Sequence, residues 1–184
     1  ITAERPRRSV AAAAETDELE RMYRAHYALV HRLVTRLGVG FAEADDVTQD
    51  VFVELSSALR KRDEGASERG FLVGIARHVV LRHRRSLFRH IRRKLAVQSF
   101  EAEPAAPDDH ARREAARELH ALLESLSEEQ RLVFVLMELE EWTAPEVAES
   151  LGLKLPTVYS RHRAARLALG EALARRRARE RSGP

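Results

Sequence analysis

Apolar residues recur along this chain at steps of three and four, without sustained alternation, so the pattern predicts helices and no strand. Thr16 suits a helix cap, with Asp17 and Glu18 in the first turn. Leu19, Met22, Tyr23, Val30, Leu33, Val34 and Leu37 follow on one face, and Gly38 and Gly40 end the helix. A second helix is expected from about Glu43 to Arg62, on Val47, Val51, Phe52, Leu55 and Leu59. The polar loop RDEGASERG comes next. A third helix begins near Glu68 and carries Phe71, Leu72, Ile75, Val79 and Val80 before it turns into RHRRSLFRHIRRK. Three helices around one core predict a first domain over 16–95.

The stretch VQSFEAEPAAPDDH, with two prolines and several acids, reads as a flexible linker over 96–112. Helix resumes near Ala111. Ser127 with Gln130, and Thr143 with Glu146, have the spacing of capping boxes, and Pro145 falls in the first turn of the later helix. Between them lie Leu132, Val133, Leu136 and Leu139. Phe134 and Trp142 sit among apolar neighbours and are expected in the core. The result is a second domain over 113–175, four short helices followed by a basic tail over 176–184. Residues 1–15, with Pro6, clustered arginines and an Ala run, read as a disordered N-terminal tail. The expected fold is all-α: two small helical domains, a flexible acidic linker, and a helix-turn-helix in the C-terminal domain.

Composition narrows the classes. The chain has 184 residues, enough for two small domains, and no Cys, which excludes disulfides and thiolate zinc sites. No apolar run is long enough for a membrane span, and none has the form of a secretory signal, so a cytoplasmic protein is expected. The net charge of +3 conceals a pattern. Nine Lys and Arg and no acid lie between Arg69 and Lys94, and eight Arg against Glu171 and Glu180 lie between Arg161 and Arg181. Two basic blocks separated by an acidic one predict two surfaces for a polyanion, against the plainer reading of solvated helix faces.

The second block contains TAPEVAESLGLKLPTVYSR. A DNA-binding helix-turn-helix needs a small residue at the helix crossing, a turn residue tolerant of left-handed geometry, and an apolar anchor in the second helix. Ala148, Gly152 and Val158 have those types at suitable spacing, and Pro156 suits the start of the second helix. The outer face of that helix is then expected to carry Thr157, Tyr159, Ser160, Arg161 and Arg163, residue types that hydrogen-bond base edges or phosphates.

In the first domain, Asp46, Gln49, Asp50 and Val53 lie at i, i+3, i+4 and i+7, an acidic face with one apolar member that suits docking on a basic partner helix. The next helix is apolar early and basic late, so that Arg77, His78, Arg82, Arg84 and Arg85 suit a phosphate backbone. The loop before it has the polarity to receive a flipped base, a weak signal on its own. No HExxH, phosphate-binding glycine loop or GxSxG is present. Asp45, Asp46 and Asp50 with His78 or His83 make a poor metal set, because two histidines five apart do not share a helical face. No enzyme activity, metal or cofactor is expected.

DDVTQDVFVEL, ERGFLVGIARHVV, LESLSEEQRLVFVLMELEEWTAPEVAESLGL and PTVYSRHRAAR, in this order, resemble an extracytoplasmic-function sigma factor of the primary-sigma superfamily. The likeness covers roughly 17–94 and 119–173. It implies promoter recognition for bacterial core RNA polymerase and control by an anti-sigma factor. By that likeness Asp46, Gln49, Asp50 and their neighbours dock on the polymerase clamp helices. Residues 62–69 with Arg77, His78 and Arg82 would capture the minus-ten element. Tyr159, Ser160 and Arg161 would read the minus-thirty-five element, and the acidic linker would thread through the polymerase. The chain departs from the family pattern at Phe71 (commonly Trp), His78 (commonly Asn), Pro156 (commonly Gly), Tyr159 (commonly basic), His162 (commonly apolar) and Ala164 (frequently Arg). Most of these lie in the reading helix, so the promoter sequence stays open. The alternative is an autonomous helix-turn-helix regulator, which accounts for the second domain but not for an acidic helix followed by a basic one.

Overall fold

The computed structural model describes residues 5–62, 65, 67–94 and 110–181, and those residues are helical with no strand. The helices are α1 (Arg5–Arg36), α2 (Ala44–Ala58) with a 3-10 turn (Leu59–Lys61), α3 (Glu68–Lys94), α4 (His110–Glu124), α5 (Glu128–Phe134) running into a π-helical turn (Val135–Leu139), α6 (Ala144–Leu151) and α7 (Leu155–Arg181).

The first three helices surround a core of Met22, Val30, Leu33 and Val34 from α1, Val47, Val51 and Leu55 from α2, and Leu72, Ala76 and Val79 from α3, all buried. Gly38 turns the chain at φ +102, and a Cβ there would collide with Arg131 as well as being strained. In the second half, Leu123, Leu132, Val133, Leu136, Val147 and Val158 fill the interior, and Trp142 is buried with them. Both expected capping boxes form: Ser127 and Gln130 satisfy each other's backbone N–H, as do Thr143 and Glu146.

Several elements differ from expectation. The helix expected at Thr16 starts at Arg5, so residues 5–15 are helical rather than a disordered tail. The Ala run has the highest helix propensity of any residue, and the Glu15 carboxylate is held by Arg60 at 2.8 Å. Residues 96–109 of the expected linker lie outside the described residues, and α4 is already helical at His110. The fourth helix of the second half is not short: α7 has 27 residues and absorbs the basic tail as far as Arg181. Asp63, Glu64 and Ala66 of the polar loop before α3 also lie outside the described residues.

The two halves are packed against each other. Glu140, at the end of the π-helical turn, has a side chain 3% exposed between Arg32, at 2.9 Å, and Arg36. Arg36 also donates to the Leu139 carbonyl at 3.1 Å. A π turn adds a residue to the helical repeat, and here it aims a carboxylate back at the C-terminal end of α1. Arg131 donates to the Leu37 carbonyl at 3.1 Å, and Arg84 donates to the same oxygen at 3.2 Å. Helix-end carbonyls carry partial negative charge, which accounts for two cations at one oxygen. Burial, and then the neighbouring Arg84, lower the Arg131 pKa from the ordinary arginine value. On the other side, Ser150 of α6 donates to the Gly70 carbonyl of α3 at 3.1 Å, and the Arg69 guanidinium lies 4.9 Å from the Trp142 ring centre.

Candidate nucleic-acid interface

The helix-turn-helix is built by α6 and α7. Thr143 caps α6, and Pro145 occupies its first turn without losing a hydrogen bond. Gly152 ends α6 in the left-handed region, φ +61 and ψ 34, and its N–H donates to the Ala148 and Glu149 carbonyls. The Leu153 N–H then donates to Ala148 at 2.8 Å, so the joint between the helices is only a few residues long. Val158 and Ala165 are fully buried and seat α7 against α5 and α6.

That seating decides where the polar side chains of α7 go. Tyr159 is 54% exposed, and Ser160 and Arg163 are exposed with it. Thr157 is half-buried, and the Ser160 hydroxyl donates back to its carbonyl at 3.0 Å. Arg161 behaves differently. It follows buried Val158 by three and precedes buried Ala165 by four, so it shares their side of the helix. Its guanidinium is paired with Glu129 of α5 at 2.5 Å. His162 is tied to Glu138 at 2.7 Å. Arg166 is exposed, seven residues beyond Tyr159 and three beyond Arg163, on the same outward face. The motif reading missed it, although its spacing from Tyr159 was there to be read.

The acidic face of α2 is open. Asp46, Gln49 and Asp50 are exposed, and Val53 is 66% exposed, an apolar surface at one end of that face. Asp45 is engaged, accepting from the Tyr27 hydroxyl at 2.9 Å with His31 at 3.3 Å. Among the described residues, no group of three or more His, Cys, Asp or Glu is arranged to hold a metal.

The basic residues of α3 are divided. Arg77, His78 and Arg85 are exposed. Arg82 is paired with Glu54 at 2.8 Å, His83 with Glu43 at 3.2 Å, and Arg84 is turned inward to the end of α1. The first half of α3 faces α6 across a cavity of about 410 Å³, lined by Arg69, Phe71 and His78 on one side and Trp142, Glu146 and Glu149 on the other. Phe71 is half-buried there.

These surfaces fall within two matched regions. The family model described as Sigma-70 region 2 matches residues 22–90, and that described as Sigma-70, region 4 matches residues 116–169. A curated relative, the ECF RNA polymerase sigma factor SigL of Mycobacterium tuberculosis, is 32% identical over 169 residues, which is 89% of this chain and 95% of the relative. The chain is an ECF RNA polymerase sigma factor. The SigE sigma factor of Mycolicibacterium smegmatis is also 32% identical, over 90% of this chain, and the alignment spans 64% of that relative's length. The structure of CnrH in complex with the cytosolic domain of CnrY is similar with a TM-score of 0.67 and 25% identity, covering 91% of this sigma factor and 96% of CnrH. In these terms α2 and α3 belong to region 2, and α5 to most of α7 belong to region 4. The described residues contain no helix long and apolar enough to cross a membrane.

Proposed function

We propose that this sigma factor directs core RNA polymerase to promoters through two DNA-contacting halves and has no catalytic activity of its own. Region 2, over 16–95, docks on polymerase through Asp46, Gln49, Asp50 and Val53. It meets the minus-ten element through Arg77, His78, Arg82, Arg84 and Arg85, the paired arginines among them exchanging their present partners for phosphate. Region 4, over 113–175, reads the minus-thirty-five element with the outward residues of α7. Tyr159, Ser160 and Arg163 lead that set, Thr157 lies at its edge, and Arg161 acts from behind through Glu129. The observation that carries this reading is the pairing of an unengaged acidic face on α2 with a helix-turn-helix whose basic edge is exposed.

Region 4 covers the start of α3 in this arrangement, so reading two separated promoter elements requires the halves to part. Polymerase supplies the scaffold that holds them apart and raises their effective concentration at the DNA. The protein acts in the cytoplasm, where polymerase and promoter are. An anti-sigma protein is its natural regulator, by analogy with CnrH, whose structure holds a partner's cytosolic domain.

Run-off transcription from a mixed promoter library, with bacterial core polymerase and with or without this chain, tests the reading. Discrete start sites that depend on the chain are expected. Sequence-specific DNA binding without polymerase, and no dependent transcript, would point to an autonomous regulator instead.

A further inference from the structure

The helix-turn-helix accounts for the first three turns of α7, but the helix continues to Arg181, about 40 Å in all at 1.5 Å per residue. The region 4 core uses only part of that length: Ala165 is the last fully buried residue, Ala168 and Leu169 pack beside it, and farther on Arg176 pairs with Glu118 of α4. The continuation has a definite face. Tyr159, Arg163, Arg166, Gly170, Arg177 and Arg181 follow one another at steps of three, four or seven, and all are exposed. They form one edge along the whole helix, and it begins at the outward reading residues. Glu171 lies about a third of a turn away from it.

Gly170 stands in the middle of this edge. Glycine inside a helix costs about 0.5–1 kcal/mol relative to alanine. No structural demand explains it here: its φ is ordinary, and a Cβ would meet nothing within 4 Å. A residue that the chain's own packing does not require suits the close approach of something outside the chain.

We propose that the distal part of α7 is a sequence-independent DNA clamp, in which Arg166, Arg177 and Arg181 grip phosphates beyond the base pairs that Tyr159 and Arg163 read. This rests on region 4 binding promoter DNA. A continuous helix laid across a major groove meets the backbone on leaving it, as basic-region helices do. Guanidinium groups on the same edge as the reading residues then fall on phosphate, and the notch at Gly170 lets the backbone pass close. Such contacts add affinity and no discrimination.

The opposite face provides the control. Arg175 and Arg179 are exposed on the same segment but lie roughly half a turn away from the edge. Two full-length variants, R177Q/R181Q and R175Q/R179Q, therefore remove equal charge from opposite faces. The probe is a fluorescein-labelled duplex of random sequence, and the measurement is anisotropy over a salt series, with helicity checked by circular dichroism. Each phosphate contact contributes about 0.9 to the slope of log K against log salt, so R177Q/R181Q should lower the slope by about 1.8. R175Q/R179Q should change it by less than half of that, and Gly170→Leu should weaken binding severalfold while leaving the helix intact.

Equal slope changes in the two pairs, or no binding of the random duplex by the wild-type chain, would overturn the clamp. Run-off initiation by the wild-type chain with core polymerase is scored separately. Initiation without a face-dependent slope removes the clamp and leaves promoter recognition standing, whereas loss of initiation removes the reading on which the clamp rests.

Discussion

Helices α2 and α3 lie side by side in the first half, and both are strongly charged on one stretch, yet the fold treats their charges in opposite ways. On α2, Asp46, Gln49, Asp50 and Val53 stand in solvent. On α3, Arg82, His83 and Arg84 are drawn onto Glu54, Glu43 and the end of α1, and the helix's first half faces α6. A run of like charge in a sequence therefore reveals the sign of a surface but not its availability. On the proposed function, the acidic helix meets its partner as it stands, whereas Arg82 and Arg84 of the basic helix exchange intramolecular partners for DNA. Exposed ion pairs are weak, typically 0–1 kcal/mol, so those on the α3 surface can be exchanged at small cost. The contacts that hold the two halves together are the more buried ones.

The comparison can be broken most severely at Glu140. Glu140→Ala leaves Arg32 and Arg36 without their shared carboxylate and should destabilise the chain by about 2 kcal/mol, below the 3–5 expected for a fully buried pair because both arginines are partly exposed. The sole tryptophan, Trp142, sits at the junction under Arg69, so its emission should shift to the red as the halves loosen. A urea midpoint and emission maximum equal to wild type would show that Glu140 does not hold the junction. A charge-reversed pair, Glu140→Arg with Arg36→Glu, should recover part of the loss.

In region 4 the contrast is between Arg163 and Arg161. Arg163→Ala should lower discrimination between promoters with intact and altered minus-thirty-five elements by about 1–3 kcal/mol if it makes a bidentate base contact. Arg161→Ala should weaken all sequences alike and lower thermal stability, because it frees Glu129. Competition binding by holoenzyme on both promoters measures this, and a larger discrimination loss for Arg161 would reverse the assignment. On α2, Asp50→Lys should weaken core polymerase binding about tenfold, or 1.4 kcal/mol, with the urea midpoint unchanged. Normal polymerase affinity in that variant would remove the docking face.

What was legible in the sequence was local. Both capping boxes, the left-handed turn at Gly152, the anchor at Val158 and the apolar faces of α1 to α3 follow from residue types a few positions apart, and all of them formed. The inward setting of Arg161 was legible too, from its three- and four-residue spacing to Val158 and Ala165, but the motif likeness drew attention to its charge instead. The junction was not legible. Glu140 meets Arg32 across 108 positions, and Arg131 meets Leu37 across 94. No periodicity encodes such a meeting, which depends on a π turn re-aiming one carboxylate. The first turns of α1 were misjudged because clustered arginines and Pro6 outweighed an Ala run that favours helix.

The smallest predicted effect concerns the head of α3, where a basic helix begins with an acid. Glu68 is held by Arg21, by His26 at 3.3 Å and by Arg62 at 3.5 Å. The Arg21 hydrogen bond is the main cause of a carboxyl pKa lowered from 4.5 to about 2. A carboxylate whose folded value is depressed stabilises the fold above the unfolded value and loses that contribution as pH falls through the folded one. The relevant window therefore runs downward from about pH 4.5 to about pH 2. The side chain is 29% exposed, so solvent screening reduces the effect to about 1 kcal/mol or less. Wild type should lose stability between pH 5 and pH 3, and Glu68→Gln, which cannot titrate, should lose measurably less over the same interval. Parallel urea midpoints for the two proteins across that interval would mean that Glu68 does not anchor α3 to α1. The helix would then start where its sequence allows it to, without the tie that Arg21 supplies.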